Sequence, residues 1–221
     1  MITLTTYGWV PDFAAPLMRA FRVRWALEEA GLPYRVRTVA LGPEQRSPEH
    51  LARQPFGQAP AVEWDGLTLF ESGAIVLHIA ERSGALLPED EIGRARAIAW
   101  LFAALNSVEI VIQELAAIDL FHADEGWAKE RRPQVEARTC DVLAMLDAAL
   151  GGKDHLEGRF TAGDLMMADV LRILRHTDLL DGFPGLKEYV GRCQRRPAFQ
   201  RAMKAQMEGF GQAGAAVAGR A

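Results

Sequence analysis

The chain has 221 residues, 49% hydrophobic and 24% charged, with 25 Lys and Arg against 29 Asp and Glu for a formal net charge of −4. That length suffices for one or two modest cores, and near-balanced charge without a basic run of five excludes the electrostatic footprint of a nucleic-acid partner. No uninterrupted apolar stretch reaches about 18 residues, and Met1-Ile2-Thr3-Leu4-Thr5-Thr6-Tyr7 lacks the charged head and apolar core of a signal peptide, so a cytoplasmic protein with no membrane partner is expected.

Residues 2–7 are rich in β-branched side chains and read as a first strand. A loop follows, and a helix starting near Pro16 runs to Ala30, stopped by Gly31 and Pro33. Leu32 to Leu41 holds a second strand with Val36 and Val39 as its apolar residues, and the polar segment 42–53 holds a short helix. Residues 60–70 read as a hairpin closed at Asp65-Gly66, the dipeptide that tolerates positive φ. Pro60 stands where the first hairpin strand begins, and Ala59-Pro60 is the bond expected to be cis. Glu71-Ser72 then open a helix with Ile75, Ile79 and Ala80 at helical spacing; Ser72 is its N-cap or lies in its first turn, where free N–H groups attract an anion.

Beyond Gly84 to Pro88 the pattern is helical throughout. Ala95 to Ile118 reads as one long helix with Ala97, Leu101, Ala104, Val108 and Leu115 on a stripe. Val135 to Leu150 is the next, and Thr161-Ala-Gly-Asp164 is a capping box ahead of a buried helix, read as structural. Shorter helices follow around Leu186 to Arg195 and Pro197 to Met207. The expected organisation is a βαβ-α-ββα thioredoxin-like α/β domain over 1–83, a linker at 84–90, an all-helical domain over 91–208 and a loose tail at 209–221. Cys140 and Cys193 lack CxxC spacing and read as structural thiols, and the five histidines show no metal-ligand spacing, so no metal is expected.

Gln54-Pro55-Phe56-Gly57-Gln58-Ala59-Pro60-Ala61-Val62, followed by Asp65-Gly66, Leu69, Glu71-Ser72 and Ala74-Ile75, resembles the pattern of cytosolic glutathione S-transferases. Arg46-Ser47-Pro48-Glu49-His50-Leu51 is similar to the Lys-Ser-Pro-Glu-His-Leu segment of plant and bacterial members, so the likeness is to a bacterial member with phi- or theta-like glutathione-site motifs. The motifs are specific in combination, and the resemblance reaches about Lys204.

The resemblance implies a homodimer that binds glutathione as co-substrate and conjugates its thiolate to a small hydrophobic electrophile. It places the Ala59 peptide before Pro60 against the cysteinyl part, Glu71 on the γ-glutamyl ammonium, Ser72 on the γ-glutamyl carboxylate, Arg46 toward the glycyl carboxylate and Gln58 on the nearby backbone. An acceptor pocket is expected between the domains, with Trp9, Phe13, Leu17, Phe102, Asn106 and Glu109 as wall candidates. Two rival readings stand beside it: glutathione-dependent reduction of disulfides or peroxides, and a non-catalytic glutathione- or ligand-binding scaffold.

Thiol activation leaves several groups open. Lowering a thiol pKa by about two units takes on the order of 3 kcal/mol. A helix N-terminus supplies about 0.3–1 kcal/mol and a hydrogen bond to the charged sulfur about 1.5–3. A donor is therefore expected where the first strand meets the first helix, yet Gly8 through Gly31 holds no Ser, Thr, Cys or Tyr. Tyr7 is the nearest aromatic hydroxyl; Arg19, the Trp9 indole N–H and the backbone N–H groups of the helix start are the alternatives.

Overall fold

The computed structural model describes the backbone of residues 1–218 and the side chains of residues 1–210. The chain divides into two compact units, Met1–Leu86 with the segment from Arg196 onward, and Leu87–Arg195.

The first unit is built on a four-stranded sheet. Its strands are β1 (Ile2–Tyr7), β2 (Tyr34–Val39), β3 (Ala61–Trp64) and β4 (Leu67–Phe70), in the order β2-β1-β3-β4. β1 runs parallel to β2 and antiparallel to β3, and β3–β4 is the expected hairpin, with Asp65 (φ 51°) and Gly66 (φ 83°) closing it. Helices α1 (Ala20–Glu29) and α3 (Ser72–Ser83) pack on the sheet, and α2 (Pro48–Leu51) is the short helix expected in the 42–53 segment. Leu4, Phe21, Leu27, Val62, Ile75 and Ile79 are buried. The two-residue period of β1 puts Thr3 and Thr5 on the face opposite Leu4, and Thr3 accepts a hydrogen bond from Arg35 there. This is the thioredoxin-like arrangement.

Two expectations change here. α1 starts at Ala20 rather than near Pro16, because Ala15–Leu17 forms a tight 3₁₀ turn and Met18 turns extended (ψ 132°) before the helix begins. The last helix, α9 (Pro197–Ala218), groups with this unit instead of with the helices before it. Its Phe199 ring meets Phe21 and Trp25 edge-on, with centroids 5.1 and 5.0 Å away, and Arg196 grips Glu29 through two bonds of 2.6 and 2.8 Å. An apolar stripe states that a helix must be covered, not by which element. α9 remains helical to Ala218, so the expected loose tail is helix over most of its length; residues 219–221 lie outside the described residues.

The second unit holds α4 (Glu91–Ala103), α5 (Glu109–Phe121), α6 (Gly126–Leu150), α7 (Ala162–Leu171) and α8 (Pro184–Gln194). The long helix expected over 95–118 is present and longer, but Ala104–Val108 forms a π turn between α4 and α5. Its expected stripe is buried throughout, from Ala97 to Leu115. An 18-residue window in Glu91–Phe121 reaches a mean hydropathy of 1.6 with half of it buried, and the run packs on α6 and α7 as the central core helix of this unit. α6 starts at Gly126 and carries Pro133 in its interior, nine residues before the expected start at Val135.

All ten residues of α7 are buried. Asp164 accepts from the Thr161 N–H (2.9 Å), the Thr161 hydroxyl (3.0 Å), the Leu156 N–H (2.9 Å) and the Tyr189 hydroxyl (3.1 Å), which bears out the structural reading of Thr161 and Asp164. A Cβ at Gly163 would stand 2.6 Å from Trp100 Cβ, so only glycine lets α7 approach α4 this closely. Neither Cys140 nor Cys193 forms a disulfide among the described residues, and burial, followed by the Glu136 and Asp141 charges, pushes the Cys140 thiol up, away from reactivity.

Candidate functional site

The loop from Gln54 to Pro60 is irregular backbone, and irregular backbone near a core needs partners for each N–H and C=O. Side chains supply them. Gln54, buried, accepts from the Phe56 N–H (2.7 Å) and the Gln58 N–H (3.1 Å). His50, also buried, lies 2.8 Å from the Gln58 carbonyl through Nε2, which therefore carries the proton and donates it. Gln45 donates from one amide to both the Gly57 carbonyl (3.2 Å) and the Tyr7 hydroxyl (2.8 Å), while its oxygen accepts from the Gly42 N–H. Gly57 has φ 65°, and a Cβ there would sit 2.8 Å from the Gln45 carbonyl and 3.5 Å from Arg46 Cδ. Arg46 therefore lies across Gly57 with its guanidinium exposed.

This scaffold stops one residue short of the proline. The Ala59-Pro60 bond is cis, as expected, and no loop or side-chain hydrogen bond among the described residues reaches the Ala59 N–H or C=O. Ala59 packs in a small apolar cluster with Tyr7, Val10, Ala15 and Val39.

After β4 the chain makes a second unusual turn. Glu71 takes φ 67° and ψ 116°, a region that side-chain-bearing residues rarely occupy, and it forms the N-cap of α3 without a side-chain cap bond. The exposed Glu71 carboxylate stands at the helix mouth, and Ser72 is the first helical residue, buried at 4% exposure. The first N–H groups of a helix have no intrahelical acceptor and carry the positive end of its dipole. Behind Ser72 lies Arg22, a 1%-exposed arginine of α1 whose Nη1 donates to the Ser72 hydroxyl at 3.4 Å. The N-terminus of α3 thus presents one carboxylate, one hydroxyl, unclaimed amides and a buried cation.

The remaining sequence-derived residues are dispersed. Tyr7 is 8% exposed, its ring in the cluster beside Ala59 and its oxygen accepting from Gln45. Arg19 is exposed at the N-cap of α1 and makes no cap bond. Trp9 and Phe13 are each 45% exposed in the loop after β1, and Trp9 borders a cavity of about 380 Å³ with Val39, Ala40 and Leu41. In the second unit, Phe102 and Asn106 are exposed while Glu109 is buried. The π turn at 104–108 adds a residue to one helical turn and rotates Glu109 off the face that plain helical spacing gives it. No group of three or more metal-capable residues occurs among the described residues.

Sequence reasoning passed over Gln45, Gln54, His50 and Arg22. His50 and Gln54 lie inside the quoted motifs, and polar residues flanking a loop of irregular backbone are its natural partners. Gln45 and Arg22 gave no signal of spacing, since their partners stand 38 and 50 residues away along the chain.

Comparison with known proteins places this geometry in context. Residues 3–81 match the family model for the N-terminal domain of glutathione S-transferases. Glutathione S-transferase 1 of Zea mays is 30% identical over 189 residues, covering 81% of this chain and 88% of its own. The maleylacetoacetate isomerase of Rhizobium meliloti is 35% identical over 192 residues, covering 83% and 90%. A glutathione transferase family member from Pseudomonas fluorescens, crystallised with two glutathione bound, superposes with a TM-score of 0.80 at 27% identity over 91% of this chain and 92% of that one. The cis-proline loop, the strained acid and the serine at the start of α3 lie within the matched segment, and the chain belongs to the glutathione S-transferase family.

Proposed function

We propose that the protein binds glutathione in the cradle between Gln45 and Ser72 and transfers its thiolate to a hydrophobic electrophile. Ala59 offers its peptide to the cysteinyl backbone, Glu71 takes the γ-glutamyl ammonium, and Ser72 with the first amides of α3 takes the γ-glutamyl carboxylate. Arg46, stretched across Gly57, faces the glycyl carboxylate beside Gln58. The observation that carries this reading is the Glu71 backbone at φ 67°. It costs about 1–3 kcal/mol and persists because it delivers an acid and a hydroxyl side by side at a helix N-terminus.

Activation of the sulfur rests on Tyr7, Arg19 and the α1 start. Gln45 occupies a lone pair of the Tyr7 oxygen and leaves its proton to donate toward a thiolate beside Ala59. Trp9 and Phe13 offer exposed apolar surface to an acceptor on the first unit; Phe102, Asn106 and Glu109 stay acceptor candidates on the second unit taken by itself. The assembly is read as a cytosolic homodimer, for which the exposed, edge-on Phe56–Phe70 pair offers an apolar patch.

Titration calorimetry with glutathione tests the cradle. Losing a charge-assisted hydrogen bond costs about 1.5–3 kcal/mol, so Ser72→Ala and Glu71→Gln each weaken binding roughly 10- to 150-fold. Unchanged affinity in both variants would sink the reading. In a chlorodinitrobenzene conjugation assay, Tyr7→Phe raises the apparent thiol pKa; an unchanged pH profile removes Tyr7 and leaves Arg19 and the helix start. A second reading is favoured by the relative named maleylacetoacetate isomerase. A thiolate that adds to an activated double bond and departs again would isomerise it with glutathione recovered unchanged, and glutathione consumption separates the two outcomes.

A further inference from the structure

Residues 41–46 follow β2 and end in a 3₁₀ turn, Pro43–Arg46. Leu41 to Glu44 and Arg46 are exposed, and Gln45 alone among them is half-buried. Glu44 ties the segment to the Ala40 N–H (2.7 Å), and the Gln45 side chain ties it to residues farther off. One hydrogen of the Gln45 amide goes to the Tyr7 hydroxyl, the other to the Gly57 carbonyl, and its oxygen takes the Gly42 N–H at 2.7 Å. Turned over, that amide would set its oxygen against the Gly57 carbonyl and its amine against the Gly42 N–H, so the partners fix its orientation. Tyr7 is therefore the acceptor toward Gln45, and no acceptor among the described residues takes the Tyr7 proton.

Arg46 is the next residue of the same turn and lies against Gly57, its Nη1 3.6 Å from where a Gly57 Cβ would stand. The residue read as facing the glycyl carboxylate and the residue that touches the phenol are thus consecutive, on an otherwise exposed turn clamped to one glycine. We propose that Gln45 is a positioning residue that makes activation of the sulfur depend on the glycyl end of glutathione, an inference that rests on the cradle reading with Tyr7 as donor to the sulfur. A glycyl carboxylate on Arg46 anchors the turn, and the anchored turn holds the Gln45 amide on the Tyr7 oxygen. A hydroxyl that accepts one hydrogen bond donates its own proton more strongly, so the thiolate beside Tyr7 is stabilised. Binding energy from a remote part of the ligand is spent at the reacting atom. The site then prefers the tripeptide to γ-glutamylcysteine in reactivity as well as in affinity.

The ultraviolet absorbance of bound thiolate, titrated with pH on the full chain saturated with glutathione or with γ-glutamylcysteine, tests it. In wild type the glutathione midpoint lies about one pH unit below that of the dipeptide, the scale of one hydrogen bond. Gln45→Met raises the glutathione midpoint to the dipeptide's, and kcat for conjugation at a pH below both falls about tenfold with it. Arg46→Gln, an exposed change that keeps the test open if the Gln45 variant does not fold, raises that midpoint equally. Gln45→Glu keeps the side chain's shape but offers Tyr7 an acceptor for its proton, so the glutathione midpoint climbs at least as far, which a merely structural role would not produce. In the Tyr7→Phe background Gln45→Met adds no further shift. Equal midpoints for the two ligands in wild type, a difference that survives Gln45→Met, or a Gln45→Met shift that persists without the Tyr7 hydroxyl would each overturn the proposal and leave the cradle reading standing. Failure of glutathione to bind at all sinks both.

Discussion

Helices α3 and α7 begin with the same chemistry, an acid and a hydroxyl at a helix N-terminus, and put it to opposite uses. At α7 every group turns inward. Asp164, with no exposure, accepts from three residues, and nothing is left for an outsider. At α3 the acid is the N-cap itself, held at positive φ and exposed, and its carboxylate makes no bond to the amides it would ordinarily satisfy. The helix start stays open, with a buried arginine behind the hydroxyl. A closed cap stabilises the fold, whereas an open one stores unmet hydrogen-bonding capacity for an anion. Position within the turn, not residue type, separates the two.

The comparison can be broken from either side. Asp164→Ala leaves the Leu156 and Thr161 amides and the Tyr189 hydroxyl without their acceptor in the interior, and should cost about 3–5 kcal/mol in urea unfolding. A loss under about 1 kcal/mol would mean the network is not what closes that helix start. Glu71→Gly has the opposite signature. It relieves the backbone and should raise stability by about 1 kcal/mol in thermal unfolding while glutathione affinity falls at least tenfold. Lower stability with intact affinity would remove Glu71 from both roles.

The smallest effect is a pH dependence. Burial, and then the Asp164 charge, push the Tyr189 phenol well above its ordinary value. A group with a raised folded pKa contributes stability that is complete below the unfolded pKa, about 10 for tyrosine, and lost as pH climbs beyond it. Wild type should therefore lose about 1.4 kcal/mol per pH unit more steeply above pH 10 than Tyr189→Phe does. Parallel alkaline unfolding curves for the two would show that the phenol ionises freely in the folded protein.

Much of this was readable in one dimension. The hairpin turn at Asp65-Gly66, the cis Ala59-Pro60 bond, the start of α3 at Ser72 and the Thr161–Asp164 pair are local devices, each set by the conformational limits of a few adjacent residues. The positive φ of Glu71 was not readable, because nothing in its side chain requires it; β4 and α3 impose it from both sides. The π turn at 104–108 was equally silent, since one extra residue in a turn leaves an apolar run looking helical.

The sequence by itself determined most of the secondary elements, the thioredoxin-like order of the first unit, the family and the motif residues proposed to hold glutathione, because those follow from periodicity, turn chemistry and motifs that act over a few positions. Tertiary structure alone decided that α9 covers α1, that Gln45 bridges Tyr7 and Gly57, and that Arg22 backs Ser72 while Arg24 lines a groove. Those pairings join residues far apart in the chain, and only packing selects which of many compatible partners each side chain meets.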